Sequence, residues 1–115
     1  MKAFSLKFTG EVVDAAFASF DLSLLALLLS NNTLMIWDVK ESSVLVKQID
    51  INKWSSQVTK LKWDIEDSNR ILVYSKNTLL IIDIKHPGNE MLIQFDNSLT
   101  IADAFFISKY PKRKS

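Results

Sequence analysis

The chain has 115 residues, of which 48% are hydrophobic and 23% charged, and its formal net charge is +1. This length and composition are typical of a single globular domain and exclude general disorder. The near-zero charge excludes a basic field that would gather nucleic acid, and the absence of cysteine excludes disulfides and thiolate metal sites.

Residues 1–8 do not have the pattern of a signal peptide. They alternate between apolar and polar side chains and contain Lys7, whereas a signal peptide needs an uninterrupted apolar centre. The longest apolar stretch, residues 22–29, contains Ser23 and is too short to span a bilayer. We therefore expect an intracellular, cytoplasmic protein without a membrane partner, which fits a chain that has no cysteine.

Short apolar segments separated by polar clusters predict a succession of β-strands. The predicted strands are residues 4–8, 12–17, 24–29, 34–39, 44–49, 58–63, 71–74, 79–84, 91–95 and 101–107. Such regular spacing favours an antiparallel sandwich, barrel or propeller. Helix is the competing interpretation for residues 15–29, which are rich in Ala and Leu, but Asp21 and Ser23 interrupt that run.

The connections between these strands contain few glycines, so Asn takes their place. Residues 30–33 and 75–78 have matching Ser-Asn-rich sequences and predict tight hairpin turns, because Asn tolerates positive φ. Residues 85–89 predict another turn, in which Pro87 fixes φ and Gly88 takes the left-handed conformation.

One set of landmarks occurs twice along the chain. Phe17 and Trp63 each follow a Val-led stretch and lie about 46 positions apart. Two apolar runs that end at Asp38 and Asp83 lie about 45 positions apart, and such a period indicates repeat architecture. Each repeat contains four predicted strands, and the unbroken apolar runs of its second and third strands predict burial on both faces.

The repeat divides the chain into segments. We expect an N-terminal strand at residues 1–11, repeats at residues 12–53 and 54–97, the start of a third repeat at residues 98–108, and a basic tail at residues 109–115. In the third copy Phe106 stands where Trp63 and Phe17 stand in the others.

These landmarks resemble the WD-repeat family. The first copy has the aromatic and turn of residues 17–21, the pair Leu25-Ala26 and the closing pair Trp37-Asp38. The second copy keeps Trp63, Leu72, the Asn77 turn and Asp83, with Ile82 in place of the Trp. Neither copy has the Gly-His pair of the family, and Asn replaces the turn Asp that joins its buried hydrogen-bond network. The likeness covers residues 12 to about 95.

The resemblance implies an all-β fold of antiparallel four-stranded WD-like blades. Two blades and one further strand do not close a propeller, which usually has 4–8 blades. We therefore expect a partial, unclosed β-propeller whose terminal blades expose broad apolar faces. Such a chain is a fragment, a truncated reading frame, or a piece that another chain completes.

A narrower resemblance concerns two dipeptides. Phe4-Ser5 and Trp63-Asp64 resemble a subgroup of WD-repeat proteins found at centrosomes and spindle poles. That resemblance implies microtubule anchoring or spindle organisation, and a cytoskeletal location.

The residues that could carry chemistry do not form a catalytic pattern. His86 is the only histidine, and no spacing places it with Ser75 and Asp83 as a triad. Asp38 and Asp83 are expected to end strands and accept turn hydrogen bonds. The Asp64, Glu66 and Asp67 cluster could bind a cation, but it lacks the Gly and terminal Glu of a calcium loop and favours a solvated loop. We predict no catalytic, cofactor or metal site, and hence no enzyme.

Two further groups of residues are explained more simply by packing and solvation than by a binding site. The aromatic residues Phe8, Phe17, Trp63, Phe105 and Phe106 could stack on bases, but their repeat-equivalent spacing predicts core packing. The basic residues Lys109, Lys112, Arg113 and Lys114 predict a solvated tail, with nuclear targeting as the alternative.

Trp54 and Lys53 are the candidate partner-binding residues. Trp54 lies in a polar segment between the repeats and is predicted to be an exposed anchor for a protein partner, with partial burial over the blade edge as the alternative. The sequence therefore predicts a non-catalytic WD-repeat-type scaffold that binds proteins, or itself through its blade faces. The alternative is a truncated WD-repeat product without independent function.

Overall fold

A computed structural model describes residues 5–18, 22–54, 58–64, 69–98, 100–101 and 103–104. Its strands are β1 (Val12–Phe17), β2 (Leu24–Leu29), β3 (Thr33–Asp38), β4 (Val44–Asp50), β5 (Lys60–Trp63), β6 (Arg70–Tyr74), β7 (Thr78–Asp83) and β8 (Met91–Gln94). A short 3-10 turn, Ile51–Lys53, follows β4 and is called the linker turn below.

The strands form two antiparallel four-stranded sheets, in the orders β1-β2-β3-β4 and β5-β6-β7-β8. Each sheet is one predicted repeat, and its strands follow each other in chain order. The protein is thus all-β, and its two blades form a partial, unclosed propeller. Eight of the predicted strands are confirmed, with ends within two residues of those expected.

The predicted strand at residues 4–8 is wrong for residues 5–8, which pair with no strand. Leu6 and Phe8 instead pack on the first sheet, against a cluster that contains Met35 and Trp37. Burying these side chains on the sheet removes their apolar surface from water, which pairing along an edge would not do. Phe4 lies outside the described residues.

The predicted strand at residues 101–107 is wrong where the structure describes it, because Ile101, Asp103 and Ala104 have helical backbone. Thr100 Oγ1 accepts a hydrogen bond from Asp103 N at 3.1 Å, and Asp103 Oδ2 accepts one from Thr100 N at 3.3 Å. This reciprocal capping box starts a helical turn. Phe105, Phe106 and the basic tail lie outside the described residues, so a third repeat remains a prediction.

The four central strands are buried on both faces, as predicted. One face of β2 and β3 packs against one face of β6 and β7. This central core contains Ala18, Ala26, Leu28, Leu34, Ile36, Ile51, Val58, Leu61, Trp63, Ile71, Val73, Leu80 and Ile82. Side chains alternate along a strand, so the intervening positions form the outer face of each blade.

The outer faces are covered within the chain, and the expectation of broad exposed blade faces is wrong for the central strands. On the first blade Leu27, Leu29, Met35 and Trp37 are buried. On the second blade Leu72, Tyr74, Leu79 and Ile81 are buried, with Ile93, Phe95 and Ala104 packed on them. The large apolar side chains that remain exposed on strands lie on β1, β4 and β8, which are edge strands.

The two predicted Asn hairpins are confirmed, and they explain the change of repeat offset. Three residues, 30–32, join β2 to β3, and Asn32 has a φ of 60°. In the second blade Ser75 N donates to Thr78 O at 2.9 Å, which closes a tighter hairpin around Asn77. The first hairpin has one more residue between its paired residues Leu28 and Leu34 than the second has between Tyr74 and Leu79. The offset between the two repeats therefore falls by one after the first hairpin.

Two hydrogen bonds join the first strands of the blades. Asp14 Oδ2 accepts one from Leu61 N at 2.9 Å, and Trp63 Nε1 donates one to Ala16 O at 2.9 Å. Trp37 Nε1, by contrast, is buried without a hydrogen-bond partner among the described residues.

We expect Trp37→Ala to reduce the free energy of unfolding by about 3–5 kcal/mol, because the side chain is only 7% exposed and its loss leaves a cavity. Trp54→Ala should cost clearly less, since Trp54 is only partly buried. Urea denaturation of both variants measures the difference, and equal losses would contradict these assignments.

A matched pair of substitutions separates the two buried indoles. Trp63→Phe removes the hydrogen bond to Ala16 O and should cost about 0.5–1.5 kcal/mol more than Trp37→Phe, which removes a donor that has no partner. Both losses of ring area are similar, so the denaturation midpoints report the hydrogen bond. A larger loss for Trp37→Phe would show that its N–H is satisfied in solution.

Candidate interaction groove between the blades

The linker turn is held in place at both ends. Asp50 Oδ1 accepts a hydrogen bond from Asn52 N at 3.0 Å, which caps the turn, and Trp54 N donates to Ile51 O at 2.9 Å. Ile51 is fully buried, and its N–H donates to Asn32 O at 2.8 Å. The first blade and the core therefore fix the position from which Trp54 projects.

Further hydrogen bonds tie the linker turn to the first hairpin. Asn52 Nδ2 donates to Asn31 O at 3.2 Å, and Asn32 Nδ2 donates to Asn52 Oδ1 at 3.1 Å. The hairpin that the sequence predicted thus also braces the candidate binding segment, a role that its sequence did not reveal.

Trp54 is half-buried, which confirms the alternative interpretation of its sequence context, whereas its role as an anchor for a partner stays a prediction. One part of its ring packs against the central core, and the rest lines an open groove. The Lys53 ammonium lies 5.8 Å from the centroid of the ring, at the limit of a cation–π contact. The indole is therefore a pre-positioned apolar surface with a cation beside it.

The groove lies where the outer part of the first blade meets the end of β7, and its volume is about 540 Å3. The first blade and linker contribute Lys47, Gln48, Ile49, Asp50, Lys53 and Trp54, and the second blade contributes Ile82, Asp83, Pro87, Gly88 and Glu90. Two of these residues are cations, Lys47 and Lys53, and three are carboxylates, Asp50, Asp83 and Glu90, so the groove offers both signs of charge around Trp54.

The β7–β8 loop shapes one wall of the groove. Gly88 has a φ of 101°, a conformation that side chains rarely adopt, and its N–H donates to Glu90 Oε2 at 3.0 Å. The sequence predicted this turn from Pro87 and Gly88. It could not assign the turn to a groove, because the opposite wall comes from the other blade.

Asp38 and Asp83 end their strands and accept turn hydrogen bonds, as predicted. Asp38 Oδ1 accepts from Lys40 N at 3.0 Å, and Asp83 Oδ1 accepts from Lys85 N at 3.0 Å. Asp83 Oδ2 also lies 3.1 Å from His86 Nδ1. Ser75 lies beyond the other end of β7, so the structure does not bring it to this pair.

The acidic cluster is not a solvated loop at Asp64, and that prediction is wrong. The Asp64 side chain is fully buried, and Oδ2 lies 3.7 Å from Arg70 Nη1. A buried carboxylate needs such a cation, because desolvation penalises an isolated charge. Glu66 and Asp67 lie outside the described residues.

The aromatic landmarks divide into core and surface. Trp63 belongs to the central core and Phe8 packs on the first blade, as predicted. Core packing is wrong for Phe17, which is 50% exposed, because it lies at the end of edge strand β1 on the side away from the core.

A second cavity of about 390 Å3 lies between the first strands of the two blades, β1 and β5. Its lining includes Asp14, Phe17, Lys60, Lys62 and Tyr74. Burial raises the pKa of the Tyr74 hydroxyl above its ordinary value of 10.0, and the negative charge of Asp14 raises it further. We call this cavity the inner pocket.

Comparison with known proteins bears on the fold. No protein-family profile matches the chain, and no curated protein is significantly similar to it. Among solved structures, the chain is similar to one in the complex of the fission yeast SREBP-SCAP binding domains, with a TM-score of 0.63 and 14% sequence identity. The match covers 83% of this chain and 24% of that chain. At this identity the likeness supports the blade fold alone.

Metal sites and membrane spans need other features. Within the described residues, no group of three metal-ligating side chains converges. No helix in the same residues has the length and apolar character needed to cross a membrane.

The raised pKa of Tyr74 predicts a loss of stability at alkaline pH. Below about pH 10 both states keep the proton. Above it the unfolded chain loses this proton while the folded chain retains it, so stability falls as the pH rises through the folded pKa. Tyr74→Phe should flatten the fall between neutral and alkaline pH in urea denaturation, and Asp14→Asn should reduce it in part. An unchanged curve in Tyr74→Phe would contradict this origin.

Proposed function

We propose that this chain is a non-catalytic interaction scaffold of WD-repeat type that binds a protein partner in the groove between its blades. The observation that carries the proposal is the setting of Trp54. Its backbone is held by the linker turn, and its ring is only half-buried and lines a groove that both blades build. Partly exposed, rigid aromatic side chains are the usual anchors of protein interfaces.

The strand beside the groove favours an extended peptide segment as the occupant. β4 is an edge strand, so one row of its backbone N–H and C=O groups faces away from the sheet. Residues 47–50 of β4 line the groove, and Val44, Leu45 and Val46 are exposed before them. A peptide that pairs with β4 would add a fifth strand and direct a side chain at Trp54.

The narrower proposal is a role in microtubule anchoring or spindle organisation, and it rests on the sequence resemblance alone. Two of the residues behind it have structural roles in this fold. Trp63 donates to Ala16 O between the blades, and Asp64 pairs with Arg70. Spindle poles are therefore a place to look for the partner, and the groove is the surface to test there.

We expect Trp54→Ala to weaken binding of the partner at least tenfold, because loss of a central aromatic anchor usually costs about 2 kcal/mol or more. The tagged chain and its variants would be purified from cells, the partner identified, and the affinity measured with purified components. Met91→Ala is the matched control, since Met91 is exposed on the second blade and outside the groove.

Two outcomes would contradict the proposal. A partner that binds Trp54→Ala as tightly as the native chain does not use the groove. A folded chain that retains no partner at all would favour the alternative, a truncated product without independent function.

A further inference from the structure

The sequence repeat relates the outer faces of the two blades to the junction that the described residues form between them. The pair Ala26↔Ile36 of the first blade corresponds to Leu72↔Ile81 of the second. The first pair faces the junction, and the second pair lies on the outer face of the second blade. This outer face therefore repeats the face with which the first blade meets the second.

The opposite face shows the converse relation. The pair Leu27↔Met35 on the outer face of the first blade corresponds to Val73↔Leu80, which faces the junction. The outer face of the first blade thus repeats the face with which the second blade meets the first. The two outer faces of the chain therefore correspond to the two apolar faces that meet at the existing junction.

The charges of the inner pocket also suit such a junction. Asp14 and Lys60 are repeat-equivalent, since they pair with Leu28 and Tyr74, and both line the inner pocket. In the repeated junction Lys60 of one copy would face Asp14 of the next. Opposite charges would therefore alternate around the first strands of an assembled ring, which favours the pairing.

We propose that, when Leu6 and Ala104 are displaced from the outer faces, this chain assembles head to tail with further copies of itself, the outer face of the second blade packing on the outer face of the first blade of the next copy. Such a heterologous interface gives a ring when its rotation closes. With two blades per chain, a propeller of roughly 4–8 blades needs about two, three or four copies. The proposal uses the blade faces and is independent of the groove.

The covers of these faces indicate what has to move. Phe8 precedes β1 as Trp54 precedes β5; Phe8 packs on the outer face of the first blade, and Trp54 packs on the central core between the blades. Phe8 can therefore remain in a junction, as Trp54 does. Leu6 corresponds to Asn52, which is exposed at the existing junction. A blade of another copy would therefore displace Leu6 from the outer face of the first blade.

The second blade has an equivalent arrangement. Ile93 and Phe95 correspond to Ile49 and Ile51, which already contribute to the central core. Ala104 is then the described residue that must give way on this face. On assembly, the contacts that Leu6 and Ala104 make with the outer faces are replaced by contacts with a blade of another copy.

Leu6→Asp tests the proposal, with Lys7→Asp as the matched control on an exposed position of the same segment. We expect Leu6→Asp to form a discrete species of about two, three or four times the monomer mass in size-exclusion chromatography with light scattering, and Lys7→Asp to keep the native mass. Adding Met35→Lys, which charges the docking face, should return Leu6→Asp to the monomer. A folded Leu6→Asp monomer at all concentrations, or aggregates that Met35→Lys does not dissolve, would overturn the proposal.

A cross-linking experiment keeps the test decisive if Leu6→Asp fails to fold. The chain has no native cysteine, so Phe17→Cys and Lys62→Cys chains can be made with one thiol each and mixed. The bond from Trp63 to Ala16 at the existing junction corresponds to a contact between Phe17 of one copy and Lys62 of another. A short bis-maleimide should give mainly the mixed dimer, and equal amounts of mixed and like dimers would overturn the proposal.

Discussion

The structure depends on the burial of both faces of its four central strands. β2, β3, β6 and β7 are apolar at nearly every position, so neither of their faces is stable in contact with water. Each sheet buries one face against the other sheet, and the other face needs a separate cover. Leu6 and Phe8 contribute to that cover on the first blade, and Phe95 and Ala104 contribute on the second.

This same constraint made most of the fold predictable from the sequence. Burial on both faces requires unbroken apolar runs, and these runs located the central strands. The repeated order of Phe17 and Trp63, then Asp38 and Asp83, grouped the strands into two blades, and local turn chemistry located the hairpins. The apolar runs and the turn residues lie within a few residues of the features that they predict, and the repeat is visible in the sequence itself, so none of these signals requires knowledge of tertiary contacts.

The error at residues 101–104 missed a local capping box, whereas the errors at Phe17 and Asp64 concern residues that the fold brings together. Phe17 has the hydrophobicity of a core residue, and only the sheet order shows that its strand is an edge. Asp64 has the sequence context of a solvated loop, and only the return of β6 brings Arg70 to it. Trp54 was identified as a candidate anchor, but its groove could not be predicted, since its walls come from both blades.

The equivalence of Phe8 and Trp54 connects the groove to the repeat. Phe8 packs on the first blade and Trp54 on the central core, and Trp54 lines the groove where the β4 strand of the preceding blade lies beside it. A groove of this kind is therefore a property of a junction and not of a blade. An assembly that creates new junctions would place a preceding blade beside Phe8, and would thereby multiply the sites at which an extended partner could bind.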